Sequence, residues 1–426
     1  MLPAAVRTLL VRALCCALLF AHAALLRAGA FELGWPSARA GGIGGACVAI
    51  ADPSSLPCNP GALALLPKKK GAAVGLLTGA FNQSLYQGLP PGAGSGTAAE
   101  QKTPMSLIPH AYVTLPFIKG MVSGTGIYTP FREQTEWAQP NAFSGRFIAT
   151  KSKLDALDLT QAFAKPLGKR AGLGIGLTYR SSSISSARRL AANLGGTQRE
   201  IADVSFDTDT VRSFGWSAGL LLRPSAHFTF GLAHKSAIST TYQGVAKMTQ
   251  IATGDPQLDA LVTASFPFGQ ALPISTHFRF PSESSGGATW SPSKPWMFVL
   301  ETSRTAWSGT GGVAYTAPNA HVLDTTYDLG FRDAWTYRTG ARFRFPTGPQ
   351  LRVGYALEKS PQSDAAVGPF YPDADRTTVT AGFGLDWLDI AVGWSTYKQR
   401  IITTSAQQFN GNWRANAWTA MLTITK

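Results

Sequence analysis

From about residue 71 to the C-terminal end the chain alternates with a period of two. Leu173, Ile175, Leu177 and Tyr179 share one face, and Gly174, Gly176, Thr178 and Arg180 the other. The pattern returns with Phe214, Trp216, Ala218, Leu220 and Leu222 against Gly215, Ser217, Gly219 and Arg223. It returns again with Leu351, Val353, Tyr355 and Leu357 against Arg352, Gly354, Ala356 and Glu358, and with Val379, Ala381, Phe383 and Leu385 against Thr378, Thr380, Gly382 and Gly384. Period two means strands with one apolar face. Each run is about ten residues, the length of a tilted transmembrane strand. The second face decides the architecture. A soluble sandwich would show water a face rich in Lys and Glu. Here that face is Gly, Ser and Thr with isolated Arg, while the apolar face ends in aromatics such as Tyr179, Trp394 and Trp418. That is a lipid-facing band with aromatic girdles around a polar lumen. A chain without a spanning helix crosses lipid only as a closed barrel, because every backbone polar group must be paired.

The connections fix the number of strands. Tight turns rich in Pro and Gly fall at 116–119, 166–168, 223–225, 292–295, 346–349 and 386–387, and longer polar segments near 87–105, 131–151, 183–210, 239–283, 306–330, 360–374 and 399–413. Six and seven make thirteen connections, hence an all-β, fourteen-stranded antiparallel barrel over 67–426 with short turns on one side and long loops on the other. The strand near 284–292 has the weakest pattern. Charged residues make up 15% of the chain, against about 25% in a soluble domain. Apolar residues are too many for wholesale disorder, and the 44 glycines follow no G-X-Y period, which excludes collagen.

Residues 1–30 read as a secretory signal peptide: Arg7 and Arg12, the apolar run Ala13–Leu26 interrupted by His22, and the small-residue site Ala28-Gly29-Ala30. The alternative is a retained N-terminal anchor. Cys15 and Cys16 have no convincing lipobox before them. After cleavage two cysteines remain, Cys47 and Cys58. Export favours a disulfide between them; two buried thiols are the alternative. No CxxC, HExxH or Cys/His cluster points to a metal, and no cofactor is expected.

Residues 31–66 lack periodicity and hold many turn formers: Gly41, Gly42, Gly44, Gly45, then Ala51-Asp52-Pro53-Ser54-Ser55 and Asn59-Pro60-Gly61. Val48, Ile50, Leu63, Leu65 and Leu66 favour a packed plug in the lumen over a periplasmic tail. The run SARAGGIGGACVAIADPSSLPCNPGALALL resembles the hatch of the FadL/TodX family of outer-membrane transporters for long-chain fatty acids and other hydrophobic compounds. IPHAYVTLP…GTGIYTPF resembles that family's second and third strands, FGWSAGLLLRPSAHFTFGLAHKS its central hairpin, and LRVGYALEKSP…YPDADRTTVTAGFGL its eleventh and twelfth strands. The resemblance spans most of 31–400. It implies a fourteen-stranded barrel plugged by a hatch, with a kink in the third strand that opens a lateral route into the membrane. Two departures stand out: Gly61 occupies the last position of the Asn-Pro-Ala-type hatch motif, and the chain ends on Lys426 where such barrels usually end on an aromatic residue.

Candidate site residues follow. Strand parity puts Trp335, Tyr337, Phe343 and Phe345 outward and Arg338, Arg342 and Arg344 inward, with Arg352 inward on the next strand. Inward guanidiniums would pair a ligand carboxylate, or else Glu301, Asp333, Glu358 or the plug. Asn59, Pro60 and Gly61 form the hatch motif, suited to a rigid turn that caps the kinked strand. Gly124 and Gly126 are candidates for the lateral opening, or make room for the plug. Two short helices are expected, at 187–194 and at 255–266 with Asp255 as cap. Leu190, Leu194, Leu258, Leu261, Val262 and Phe266 would form a capture groove there, or simply pack the loops together. Arg188-Arg189 is a candidate contact for lipopolysaccharide.

Gly215-Trp216-Ser217-Ala218-Gly219 fits G-x-S-x-G, but mid-strand, without the sharp turn into a helix that exposes such a serine. His227 and His277 fall on inward parity and form no evident triad with Ser217. Along the sequence the bases are not clustered with interleaved aromatics, and the export signal also argues against nucleic acid as a partner. The expectation is a monomeric transport protein of the bacterial outer membrane. It would take up a hydrophobic small molecule, a fatty acid or hydrocarbon, among outer-membrane lipid and lipopolysaccharide. The rivals are a structural or adhesive barrel and, more weakly, a lipase.

Overall fold

Fourteen antiparallel strands close on themselves in the computed structural model, which describes residues 31–102 and 106–426, with side chains throughout except at 80–84. The expected signal peptide lies outside the described residues. The strands are β1 (Gly71–Gly88), β2 (Ser106–Pro116), β3 (Val122–Glu136), β4 (Lys151–Leu167) and β5 (Ala171–Leu194). Three strands come in two pieces each: β6 (Thr197–Thr208 and Val211–Leu222), β7 (Phe228–Lys235 and Ile238–Gln250) and β8 (Ala271–Phe280 and Glu283–Trp290). Then come β9 (Trp296–Thr305), β10 (Ala334–Arg344), β11 (Gln350–Glu358), β12 (Arg376–Gly384), β13 (Leu388–Tyr397) and β14 (Gly411–Thr425). β14 pairs with β1 from Ala73↔Thr425 to Gly88↔Gly411. Closure joins the first strand to the last, so the sheet has no terminal edge.

The period-two pattern becomes an outside and an inside. Leu173, Ile175 and Leu177 of β5 are 48%, 63% and 58% exposed, and Leu107, Val113, Phe214, Trp216, Val353 and Val379 likewise face outward. So continuous an apolar belt is a surface for lipid, not water. All six tight turns fall where expected, and the strand expected near 284–292 is the second piece of β8.

The segment 183–210 corrects the sequence reading. It is not a loop, and 187–194 is not a helix but the upper part of β5, paired with β6 from Ser185↔Asp207 to Leu194↔Thr197. Gly195 and Gly196, both at positive φ (60° and 84°), form the two-residue turn. The helix-favouring Ala, Arg and Leu are overridden by the cross-strand ladder. The helix Pro256–Ser265 does form, and the Asp255 side chain accepts from the N–H groups of Gln257 and Leu258. Its flanks at 239–250 and 271–280 are strand rather than loop.

His277 also departs from expectation. It faces outward, and Leu272, Ile274, Thr276, Phe278 and Phe280 face inward. Below the break at 281–282 the inward positions are odd-numbered (Ser285, Thr289) and above it even-numbered. The breaks in β6 and β7 shift the parity in the same way.

Residues 31–66 precede the first strand and pack against the inner wall. They contain one helical turn (Ala38–Gly41) and two 3₁₀ turns (Pro53–Ser55 and Pro60–Leu65). Cys47 and Cys58 form a disulfide.

Candidate functional site

Asn59 is fully buried and holds the hatch to the wall. Its Nδ2 donates to the carbonyls of Val48 (2.7 Å) and Leu220 (3.0 Å), and its Oδ1 accepts from the Gly61 N–H (2.9 Å). Leu220 belongs to β6, so the Asn-Pro-Gly turn docks on β5 and β6, not on the third strand. A Cβ at Gly61 would lie 2.4 Å from the Gly219 carbonyl oxygen, so only glycine fits without moving the strand. Across the lumen the Glu301 carboxylate of β9 accepts from the backbone N–H groups of Cys47 (2.8 Å) and Val48 (2.7 Å). Arg39 of the hatch pairs with Asp52 and, at 2.9 Å, with Asp389.

Gly124 and Gly126 pair regularly with β2 (Thr114↔Gly124, Tyr112↔Gly126) and β4. Cβ atoms there would meet Leu63 and Leu56 of the hatch at 2.5 to 3.3 Å. The ladder is regular at both glycines, and in this structure they make room for the hatch. The irregularity lies a few residues on, in the same strand. The β3–β4 register shifts between Tyr128 and Phe131, where Pro130 has no N–H to donate. The β2–β3 ladder stops at Ala111↔Ile127. Above that point the hatch takes the place of β2: the Leu33 N–H donates to the Pro130 carbonyl (2.9 Å), and the Arg132 N–H to the Phe31 carbonyl (2.8 Å). The wall recloses higher up, where the Lys102 N–H reaches the Glu136 carbonyl (2.7 Å).

Inside this seam lies a chamber of about 120 Å³. Leu33, Trp35, Leu77, Tyr112, Phe131 and Met421 give it apolar walls. Its charged groups are Arg180 with Asp158 (2.8 Å), Lys235 with Glu283 (2.9 Å), Arg338 with Glu301 (3.3 Å), and Glu32. The Glu32 carboxyl has no hydrogen-bond or ion-pair partner among the described residues. Glu283, Glu358, Lys235 and Arg338 all lie near enough to act on its charge. Pro109 and His110 line the chamber and also an apolar hollow of about 370 Å³ on the lipid-facing side, with Val74, Leu76, Ile127, Leu422 and Ile424. The two spaces lie on either side of these two residues at the seam.

Of the four arginines chosen from parity, Arg338 alone lines the chamber. Arg352 is buried and pairs with Asp389 (2.7 Å). Arg344 lies at the turn end of β10, paired with Asp386 (3.0 Å). Arg342 sits opposite Arg352 on the adjacent strand, and its buried Nε has no hydrogen-bond partner. Lys235 and Arg180 were missed, although parity within their own strands turns both inward.

The upper end of the lumen is closed by packed rings. Phe31 meets Phe278, Trp307, Phe331 and Tyr371 at centroid distances of 5.7, 5.8, 5.8 and 4.5 Å. Leu190, Leu194 and Phe266 pack against this same cluster, and Val262 is buried in it. Leu258 is half-buried and Leu261 alone is exposed, so the six form no open groove. A hollow of about 400 Å³ lies instead near Tyr86, Trp137 and Phe143, flanked by the 98–100 segment. Arg189 is tied to Glu200 and Asp203. Ser217 faces inward in mid-strand, opposite Gly176 and Lys235, and His227 lies exposed in a turn.

A lipid-belted, fourteen-stranded barrel whose lumen is filled by its own N-terminal segment and whose wall parts at a seam beside it is an outer-membrane transport barrel. The model of one family, the outer membrane protein transport proteins (OMPP1/FadL/TodX), matches residues 19–425. The chain belongs to this family. It is 22% identical over 315 residues to a long-chain fatty acid transport protein of Escherichia coli O6:H1, covering 68% of each chain. Its similarity to the corresponding Salmonella typhi protein is 22% over 312 residues, 68% of this chain and 70% of that one. Among solved structures, a Pseudomonas aeruginosa FadL homologue shares the fold with a TM-score of 0.75 at 18% identity, covering 95% and 99% of the two chains. The Pseudomonas putida toluene transporter TodX does so with 0.66 at 15% identity, covering 93% and 99%.

Proposed function

We propose that the protein carries a hydrophobic small molecule, a long-chain fatty acid or an aromatic hydrocarbon, passively from the outside into the plane of the outer membrane. The observation that carries this is the seam: the β2–β3 ladder ends beside the chamber, and Pro109 and His110 border both chamber and lipid. An apolar solute leaving there never meets bulk water. The hollow beside Tyr86, Trp137 and Phe143 is the place of first capture. A fatty acid would set its carboxylate between Lys235 and Arg338, where charge-assisted bonds in a dry space are strong. Glu32 lies near both cations in the resting state without pairing with either, and a carboxylate held between them would crowd it out and with it the hatch strand that covers the seam. A chamber of about 120 Å³ is small beside the roughly 300–1,000 Å³ of ordinary ligand sites, so the hatch must shift for a long chain to pass.

Uptake by liposomes containing the refolded barrel tests this reading with oleate, toluene and a sugar of similar mass. Saturable uptake of oleate or toluene without sugar flux is expected. Sugar leakage alone would mean an open pore. No flux of any of the three through a folded barrel would favour a structural or adhesive role.

A further inference from the structure

The short-turn rim of the barrel carries almost only positive charge. Lys68, Lys69 and Lys70 precede β1, Lys119 sits in the first turn, and Lys169 and Arg170 in the second. The third and fourth connections and the turn end of β10 add one base each, so the short connections and that strand end hold nine. The one acid in the short connections is Asp386. The formal charge is +14, and removing the three arginines of residues 1–30 leaves +11. These nine bases and one acid supply eight of those eleven net charges. Lys68, Lys70, Lys119, Lys169 and Arg170 are exposed. Among the described residues the only ion pair on this rim is Arg344 with Asp386, and Lys69 donates to the Gly120 carbonyl. Charges left unpaired and outward-facing on one rim are not held there by the fold.

Their height identifies what they face. The lower end of the lipid-facing belt is aromatic: Phe117, Phe228, Trp290, Trp296 and Phe345 are between 38% and 48% exposed. Aromatic belts mark the headgroup level of a bilayer, and short turns lie on the periplasmic side. Lys119 is two residues beyond Phe117, and Lys294 two before Trp296. The bases thus stand level with the phosphates of the inner leaflet. We infer that this rim is a binding surface for anionic glycerophospholipid headgroups of the periplasmic leaflet, contacted through their phosphates. A soluble acidic partner would not require the bases to follow the belt around successive turns. The surface holds anionic lipid around the barrel and sets its depth in the membrane.

Tryptophan quenching by lipid brominated near the headgroup measures the association. The refolded full barrel is placed in vesicles of phosphatidylcholine with brominated phosphatidylglycerol, or with brominated phosphatidylcholine. At low salt the anionic lipid should associate about 5-fold more strongly, the factor that one basic residue's attraction to an anionic surface supplies. Screening over a few ångströms in 0.5 M salt should bring the ratio to about 1. So should the variant K68Q/K69Q/K70Q/K119Q/K169Q/R170Q, its folding checked by resistance to unheated detergent. A ratio near 1 for the unaltered barrel at low salt overturns the inference. A preference that survives both salt and charge removal overturns it too, and so does one that the folded variant keeps. If the variant fails to fold, the salt series on the unaltered barrel decides alone.

Discussion

Replacing Asn59 by Ala should unlatch the hatch while leaving the barrel closed. Asn59 makes three hydrogen bonds to backbone groups, at 2.7, 3.0 and 2.9 Å, and is 0% exposed. Two of the three bonds are buried and the one to Leu220 is part-buried. Each lost bond has a net worth of about 1 kcal/mol, and a buried group left unpaired costs about 1–3 kcal/mol. The glutamate clamp at Cys47 and Val48 and the Arg39–Asp389 pair remain, so the loss is local and amounts to about 3 kcal/mol. At about 1.4 kcal/mol per tenfold, the population of the undocked hatch should rise about 150-fold. Single-channel recording in planar bilayers reads this directly. The unaltered barrel should conduct rarely, and the variant should show frequent openings with sugar leak in liposomes. The strand ladder does not involve the Asn59 side chain, so resistance to unheated detergent should stay the same. A folded N59A barrel whose open probability equals that of the original would refute the reasoning, because the hatch would then be held without this residue.

Two further outcomes follow from the chamber. Lys235→Gln should raise the half-saturating oleate concentration about tenfold, the loss of one charge-assisted bond of about 1.5 kcal/mol, and leave toluene uptake unchanged. The K235Q/E283Q double variant should behave alike, separating ligand binding from the orphaned Glu283; equal losses for oleate and toluene would point to a packing effect. The second outcome concerns the hatch strand. Glu32→Ala leaves the Leu33–Pro130 and Arg132–Phe31 backbone bonds in place, so hydrogen exchange at the Leu33 and Arg132 amides should stay slow in the folded variant; rapid exchange there would mean that the side chain, not the backbone pairing, holds the seam shut.

The barrel was legible because lipid and lumen impose opposite chemistry on alternate residues. Leu173 and Ile175 must be apolar, and Gly174 and Gly176 must be small. Local reading failed where long-range pairing decides. Residues 187–194 carry helix-favouring side chains, yet the ladder to β6 makes them strand. The sequence mark of this hairpin is Gly195-Gly196, a two-residue turn between two runs of alternation. His277 was turned the wrong way because the break at 281–282 shifts the parity above it. Parity kept within one strand turns Lys235 and Arg180 inward, which is where the chamber needs them. The seam had a sequence mark as well: Pro130 interrupts the third strand and cannot donate to a ladder, whereas Gly124 and Gly126 serve the hatch. No local pattern could show that Asn59 docks on Leu220, because that contact joins residues far apart in the chain.

The seam is the centre of this account, and a photoreactive ligand tests it without altering the protein. An oleate analogue with a diazirine along its chain is taken up by liposomes bearing the barrel, illuminated during flux, and the labelled residues are read by mass spectrometry. The account predicts labels at 108–110 and 128–130, beside the chamber and the lipid-facing hollow. Labels confined to the periplasmic mouth around Arg344 and Pro346, with none at the seam, would mean that the solute leaves along the barrel axis, and the lateral route would be wrong.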